Sequence, residues 1–151
     1  MSTTPTNRRK IREIALQLLF LWDAHGADDA EMARHVTHEA SDDPVTRQFA
    51  LDLARGAWNN REIADAWIER LAPQWPPRRQ PGVDRNIMRL AVWELTGTDT
   101  PPKVAIDEAI ELAKVFSTEN SPAFVNGVLD AVLREHKALI EGSQKPEARS
   151  Q

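Results

Sequence analysis

The sequence predicts an all-α fold, and three observations predict it. Apolar residues recur at i, i+3, i+4 and i+7 in one segment after another. No segment sustains the apolar–polar alternation of a strand. Proline-containing stretches separate the periodic segments, where a helix has to stop. The 151 residues are enough for one domain with a real core.

Ile11, Ile14, Ala15, Leu18, Leu19 and Trp22 form the first helical stripe; Thr6 or Asn7 can cap its start and Gly26 can end it. A shorter helix is expected over residues 29–40, with a thin apolar face of Met32, Val36 and Ala40. Pro44 suits the first turn of a third helix. That segment carries Phe49, Leu51, Leu53, Ala54 and Trp58, breaks near Asn59 and Asn60, and resumes through Ile63, Trp67, Ile68 and Leu71. PQWPPRRQPG, residues 73–82, holds four prolines and ends in glycine. It is expected as a non-helical connection between two helical halves, residues 1–72 and 83–140.

Three further helices are expected in the second half. Ile87, Leu90, Ala91 and Leu95 mark the first, which Gly97 and the Pro101-Pro102 pair stop. Ile106, Ala109, Ile110 and Ala113 mark the second, and Phe124, Val125, Val128, Leu129, Val132 and Leu133 the third. Polar residues 141–151 are expected to be a disordered tail.

A composition of 41% hydrophobic and 28% charged residues is that of an ordinary soluble globular protein. No apolar run approaches the roughly 18–20 residues that cross a bilayer, and MSTTPTNRRK lacks the apolar middle of a secretory signal. The chain has no cysteine, which excludes disulfides, thiolate nucleophiles and cysteine-based zinc sites, and fits a reducing, cytoplasmic setting.

The net charge of −4 conceals a pattern. Residues 1–12 hold Arg8, Arg9, Lys10 and Arg12 and no acid. Residues 23–43 hold seven acids against Arg34 alone. Two readings of the basic cluster stand on charge alone: a solvated terminus, or a contact for a polyanion. Arg78 and Arg79 pose the same choice in the proline-rich connection, with a solvated loop preferred.

Catalytic signatures are missing. There is no phosphate-cradling glycine loop, no G-x-S-x-G turn and no HExxH. His35 and His38 share a helix face without a third ligand in sight. Glu108 and Glu111, beside Lys114, read as a charged outer face. Trp22, Trp58, Trp67 and Trp93 fall near apolar stripes and read as core. No catalytic residue, metal or cofactor is expected.

Two stretches are more specific. RRKIREIALQLLFLWD (residues 8–23) is one. The other, within residues 83–133, runs from VDRNIMRLAVWEL to TPPKVAIDEAIELAKVFSTENSPAFVNGVLDAVL. Together they resemble the NusB family of bacterial transcription antitermination factors, with KVAIDEAIELAKVF followed by FVNGVLD the stronger signal. The resemblance implies a NusB-like bundle of about six to seven helices in two subdomains, with no reaction and no cofactor. It implies binding of boxA-type single-stranded RNA together with NusE, a small-subunit ribosomal protein. It also implies a larger complex with NusA, NusG and RNA polymerase that suppresses premature termination and supports ribosomal RNA synthesis.

Site residues follow from the resemblance. Arg8, Arg9, Lys10 and Arg12 match the family's arginine-rich motif at the start of the first helix. Bases placed there oppose the helix dipole, so an outside anion is expected, and a phosphate backbone supplies it. The segment TENSPAFVNG implies a second RNA contact, with Asn120 standing where many relatives carry an acid. Phe124 is either a base-stacking ring or simply core. Gly127 is expected to permit close helix packing. Asp84, where the family presents an acid to NusE, and Phe20, where tyrosine is common, are the expected partner contacts. The alternative is a NusB-fold interaction or homodimer module with no RNA binding of its own, so a monomer and a homodimer both stay open. Some ribosomal RNA methyltransferases carry a NusB-like domain, but 151 residues leave no room for a methyl-donor fold.

Overall fold

The computed structural model describes residues 7–144. Among them seven α-helices form: α1 (Arg8–His25), α2 (Ala30–Ala40), α3 (Pro44–Asn59), α4 (Arg61–Leu71), α5 (Gly82–Gly97), α6 (Pro102–Phe116) and α7 (Ser121–Gln144). The expected tail begins too early, because α7 continues through residues 141–144. Thr6 as a cap, and the disorder expected of residues 145–151, lie outside the described residues.

Local chemistry sets the helix ends. The Asn7 side chain accepts from the Lys10 amide at 3.1 Å, and Gly26, at φ 92°, ends α1 in a backbone region that favours glycine. Asp29 caps α2 through the Met32 amide at 3.0 Å; Asp43 caps α3 through the Val45 amide at 3.2 Å, with Pro44 behind it. Asn60 alone separates α3 from α4. The proline-rich connection is not wholly irregular: Pro77–Arg79 make one 3-10 turn. Arg78 there pairs with Glu69 at 2.8 Å.

α5 is the central helix and packs against α1, α3, α4, α6 and α7. The expected stripe of Ile87, Leu90, Ala91 and Leu95 is buried, and so are Met88 and Val92. α5 also buries Asp84, Asn86, Arg89 and Glu94, and each reaches a neighbouring element. Asp84 accepts from the Ser117 and Ser121 hydroxyls, joining α5 to the α6–α7 turn. Asn86 donates to Asp23 of α1 at 3.0 Å. Arg89 makes a two-pronged bridge to Asp65 of α4 at 2.9 and 2.7 Å and reaches Asp23 at 3.1 Å. Glu94 receives Arg12 of α1. Burial raises the Asp23 carboxyl pKa, but Arg85, Asn86 and Arg89 outweigh burial and hold it below its ordinary value.

α3 buries small residues, Thr46, Ala50, Ala54 and Ala57, toward α1 and α5, and leaves Phe49 41% exposed. Alanines let the helices approach closely, and Phe49, one of the apolar residues that mark this segment, lies off that face. α2 likewise buries Ala33 and Thr37, while Met32, Val36 and Ala40 are only half-buried. The buried residues of both halves form one contiguous cluster, from Ile11 to Val132.

Close packing at glycine occurs where α3 meets α5. A Cβ at Gly56 would overlap one edge of the Trp93 indole, and a Cβ at Gly97 the opposite edge, so the ring has nowhere to retreat. Gly127, expected to serve such a contact, faces open space. Gly56→Ala and Gly97→Ala should each destabilise by about 1–3 kcal/mol. Gly127→Ala should instead stabilise by about 0.5–1 kcal/mol, as alanine does in an open helix interior. Thermal and urea unfolding of the three variants checks the contrast.

Candidate nucleic-acid interface

The four bases of the first helix do not form one free cluster. Arg12 is 5% exposed, and its guanidinium forks onto Glu94 at 2.8 and 2.9 Å. Thr100 donates to the same carboxylate at 3.0 Å. The assignment of Arg12 as a phosphate contact is corrected on this ground: its donors already face a buried acid, and exposing them would strand Glu94. Arg9 forks onto Glu108 of α6 at 3.1 and 2.9 Å. Glu108 stands between two arginines, with Arg12 at 4.0 Å on its other side. It is not the outer-face charge that its spacing to Glu111 suggests; Glu111 pairs with Lys114 at 3.1 Å.

Arg8 is exposed and Lys10 half-exposed, and neither has an ion-pair partner among the described residues. No acid sits in the first turn of α1. Two side-chain cations without acid partners thus flank the first turn of α1, where the first amides of the helix are free of intrahelical partners, while Ile11, Ile14, Ala15, Leu18 and Leu19 hold the helix in the core. This arrangement is suited to holding an anion by charge and backbone donors, without a reaction.

The second expected set lies elsewhere. Asn120 is exposed in the turn between α6 and α7. Phe124 is half-buried, its ring edge-on to Trp75 at 4.4 Å between centroids. That turn joins α5 through Asp84, whereas the α1 start joins α5 through Glu94. Ten residues of α-helix separate these anchors by about 15 Å. The two sets are thus anchored toward opposite ends of α5, and only an extended ligand reaches both.

Asp84 is 0% exposed, so its assignment as an acid presented to a partner is corrected: its oxygens are taken by the Ser117 and Ser121 hydroxyls. Phe20, in contrast, is 47% exposed, its ring against Gly82 at the start of α5. His35 and His38 are exposed on α2, and no group of three metal-ligating side chains occurs among the described residues. No helix among them is long and apolar enough to cross a membrane. Sequence reasoning missed Glu94 and misread Glu108, because they stand 82 and 99 residues from the arginines they hold.

The sequence model of the NusB family matches residues 9–134. The transcription antitermination protein NusB of Solibacter usitatus is 49% identical over 131 residues, spanning 85% of this chain and 90% of that protein. Among solved structures, T. maritima NusB is 39% identical at a TM-score of 0.74, covering 88% of this chain and 93% of that one. A crystal structure of the antitermination factors NusB and NusE in complex with dsRNA contains a chain 28% identical at a TM-score of 0.77; the match covers 87% of this chain and 99% of that one.

The Arg9–Glu108 bridge carries a pH dependence. The hydrogen bond from Arg9 holds the Glu108 carboxyl below its ordinary pKa. A depressed carboxylate contributes stability above its unfolded pKa and loses it as pH falls through the folded one. The contribution should be complete at neutral pH and vanish on acidification below about pH 4. Melting temperatures should therefore fall less between neutral and acid pH for Glu108→Gln than for the wild type.

Proposed function

The chain belongs to the NusB family, and on that premise we propose that it is a transcription antitermination factor that binds boxA-type RNA together with a NusE partner. It would join NusA, NusG and RNA polymerase to support ribosomal RNA synthesis. It acts by binding, catalyses no reaction, needs no cofactor, and works in the cytoplasm. The observation that carries this reading is that exposed Arg8 and half-exposed Lys10 stand without acid partners among the described residues, at the start of a helix otherwise anchored in the core. The NusB–NusE complex with dsRNA supports the choice of both partners.

Arg8 and Lys10 supply the phosphate contacts, and Arg9 adds a third when it leaves Glu108. Asn120 and Phe124 take a more distant part of the same RNA. NusE docks on the side where Phe20 is exposed, while Asp84 shapes that side from beneath by fixing the α6–α7 turn.

Anisotropy titrations of labelled boxA-type RNA at several salt concentrations, with purified NusE present, test the reading. On single-stranded RNA each phosphate contact adds about −0.7 to the log–log salt slope, so this chain's share should be about −1.4 for two cations and about −2.1 for three. Arg8→Ala with Lys10→Ala should remove about −1.4 of that share, leaving near zero if Arg9 stays on Glu108 and about −0.7 if it joins the phosphates. Binding that ignores these residues, or never occurs with NusE present, overturns the proposal. Arg12→Ala should instead lower the melting temperature, because it strands a buried glutamate. Asn120→Asp should weaken binding at low salt, since it sets a negative charge beside phosphates.

A further inference from the structure

Between the start of α1, the flank of α3 and the α5–α6 turn lies a cleft of about 730 Å³, within the size range of small-ligand sites. Its walls are Phe49, 41% exposed, Val104, 40% exposed, and the Trp93 indole clamped by Gly56 and Gly97. Arg8 stands at one side. Asp52 and Asp99 also line the cleft, and the paired Arg12 and Glu94 reach it as well. Phe49 and Val104 form an apolar surface that nothing among the described residues covers.

Three chemistries meet here, and together they select an occupant. The exposed ring and the valine favour a flat, weakly polar group. The Arg8 guanidinium favours an anion at one side only. The exposed Asp52 and Asp99 carboxylates disfavour a second anion beside them and accept hydrogen bonds from amino groups, as Asp52 already does from Gln48 at 2.8 Å. A nucleotide satisfies all three: phosphate at Arg8, base against Phe49, and the amino edge of the base toward the carboxylates. We propose that this cleft is a nucleobase subsite, which takes one unpaired base of the RNA whose backbone crosses the start of α1. The proposal rests on the RNA-binding reading above and extends its footprint onto α3. Cytosine, adenine and guanine carry an exocyclic amino group and fit the cleft; uracil lacks one and is disfavoured.

Phe49→Ala is the variant of choice, because the exposed side chain lies outside the core cluster and its loss leaves the fold standing. The full-length chain with NusE is titrated with a labelled boxA-type RNA and with copies carrying an abasic site at each position in turn. Loss of one stacked base is expected to cost about tenfold in affinity. In the wild type one abasic position should show that loss. Phe49→Ala should lose a similar factor on intact RNA and become insensitive to that same position. Annealing a complementary strand should abolish the coupling. A general weakening by Phe49→Ala, equal on every abasic RNA, means a structural role and overturns the proposal. Unchanged affinity in Phe49→Ala, with Arg8→Ala still harmful, overturns the subsite alone and leaves the RNA-binding reading intact. No RNA binding by the wild type overturns both. A change of solution mass in Phe49→Ala without RNA, with no abasic coupling, assigns the cleft to a second copy of this chain and also overturns the proposal.

Discussion

Buried polar groups must be paired, and α5 turns that requirement into the framework of the molecule. Asp84, Asn86, Arg89 and Glu94 sit within a largely apolar helix, and each has its partner on another element. A hydrophobic stripe tolerates rotation and sliding, since one aliphatic contact replaces another at little cost. A two-pronged arginine–carboxylate bridge does not, because displacement leaves a desolvated charge. α1 is held at Asp23 and at Arg12, α4 at Asp65, and the α6–α7 turn at the two serines. The register of the whole bundle follows.

The same requirement decides which charges are free to act. In the sequence, Arg8, Arg9, Lys10 and Arg12 are four equal bases. In the fold they divide by the acids that meet them: Arg12 faces inward to Glu94, Arg9 lies over Glu108, and Arg8 and Lys10 face outward. An acidic protein thus presents a small, well-placed cationic site, held in position by some of its own arginines.

Periodicity made most of the fold legible. The stripe from Ile11 to Trp22, the break at Asn59 and Asn60 and the buried face of α6 all follow from spacing and caps. What spacing could not give was the partner of a polar residue. Asp84 in a helix start reads as a surface acid, and only the serines 33 and 37 residues away show it to be buried. Arg12 and Glu108 fail in the same way. Phe49 is the reverse case: it is one of the apolar residues that mark α3 as a helix, but the alanines beside it determine which face packs. The resemblance to the NusB family identified the right segments and assigned two of their polar residues to the surface when they hold the bundle together.

The bridge from Arg9 to Glu108 also bears on selectivity among anions. Any anion reaching Arg9 must displace a carboxylate that is tethered beside it and therefore present at a high effective concentration. Chloride or a lone phosphate meets that rival with no such advantage. A polyanion already held at Arg8 and Lys10 presents its next charge within reach, so its own tethering offsets that of the glutamate. An internal acid of this kind discriminates by chain length: it sets a threshold that small ions fail to cross and that a polymer crosses because its charges are joined.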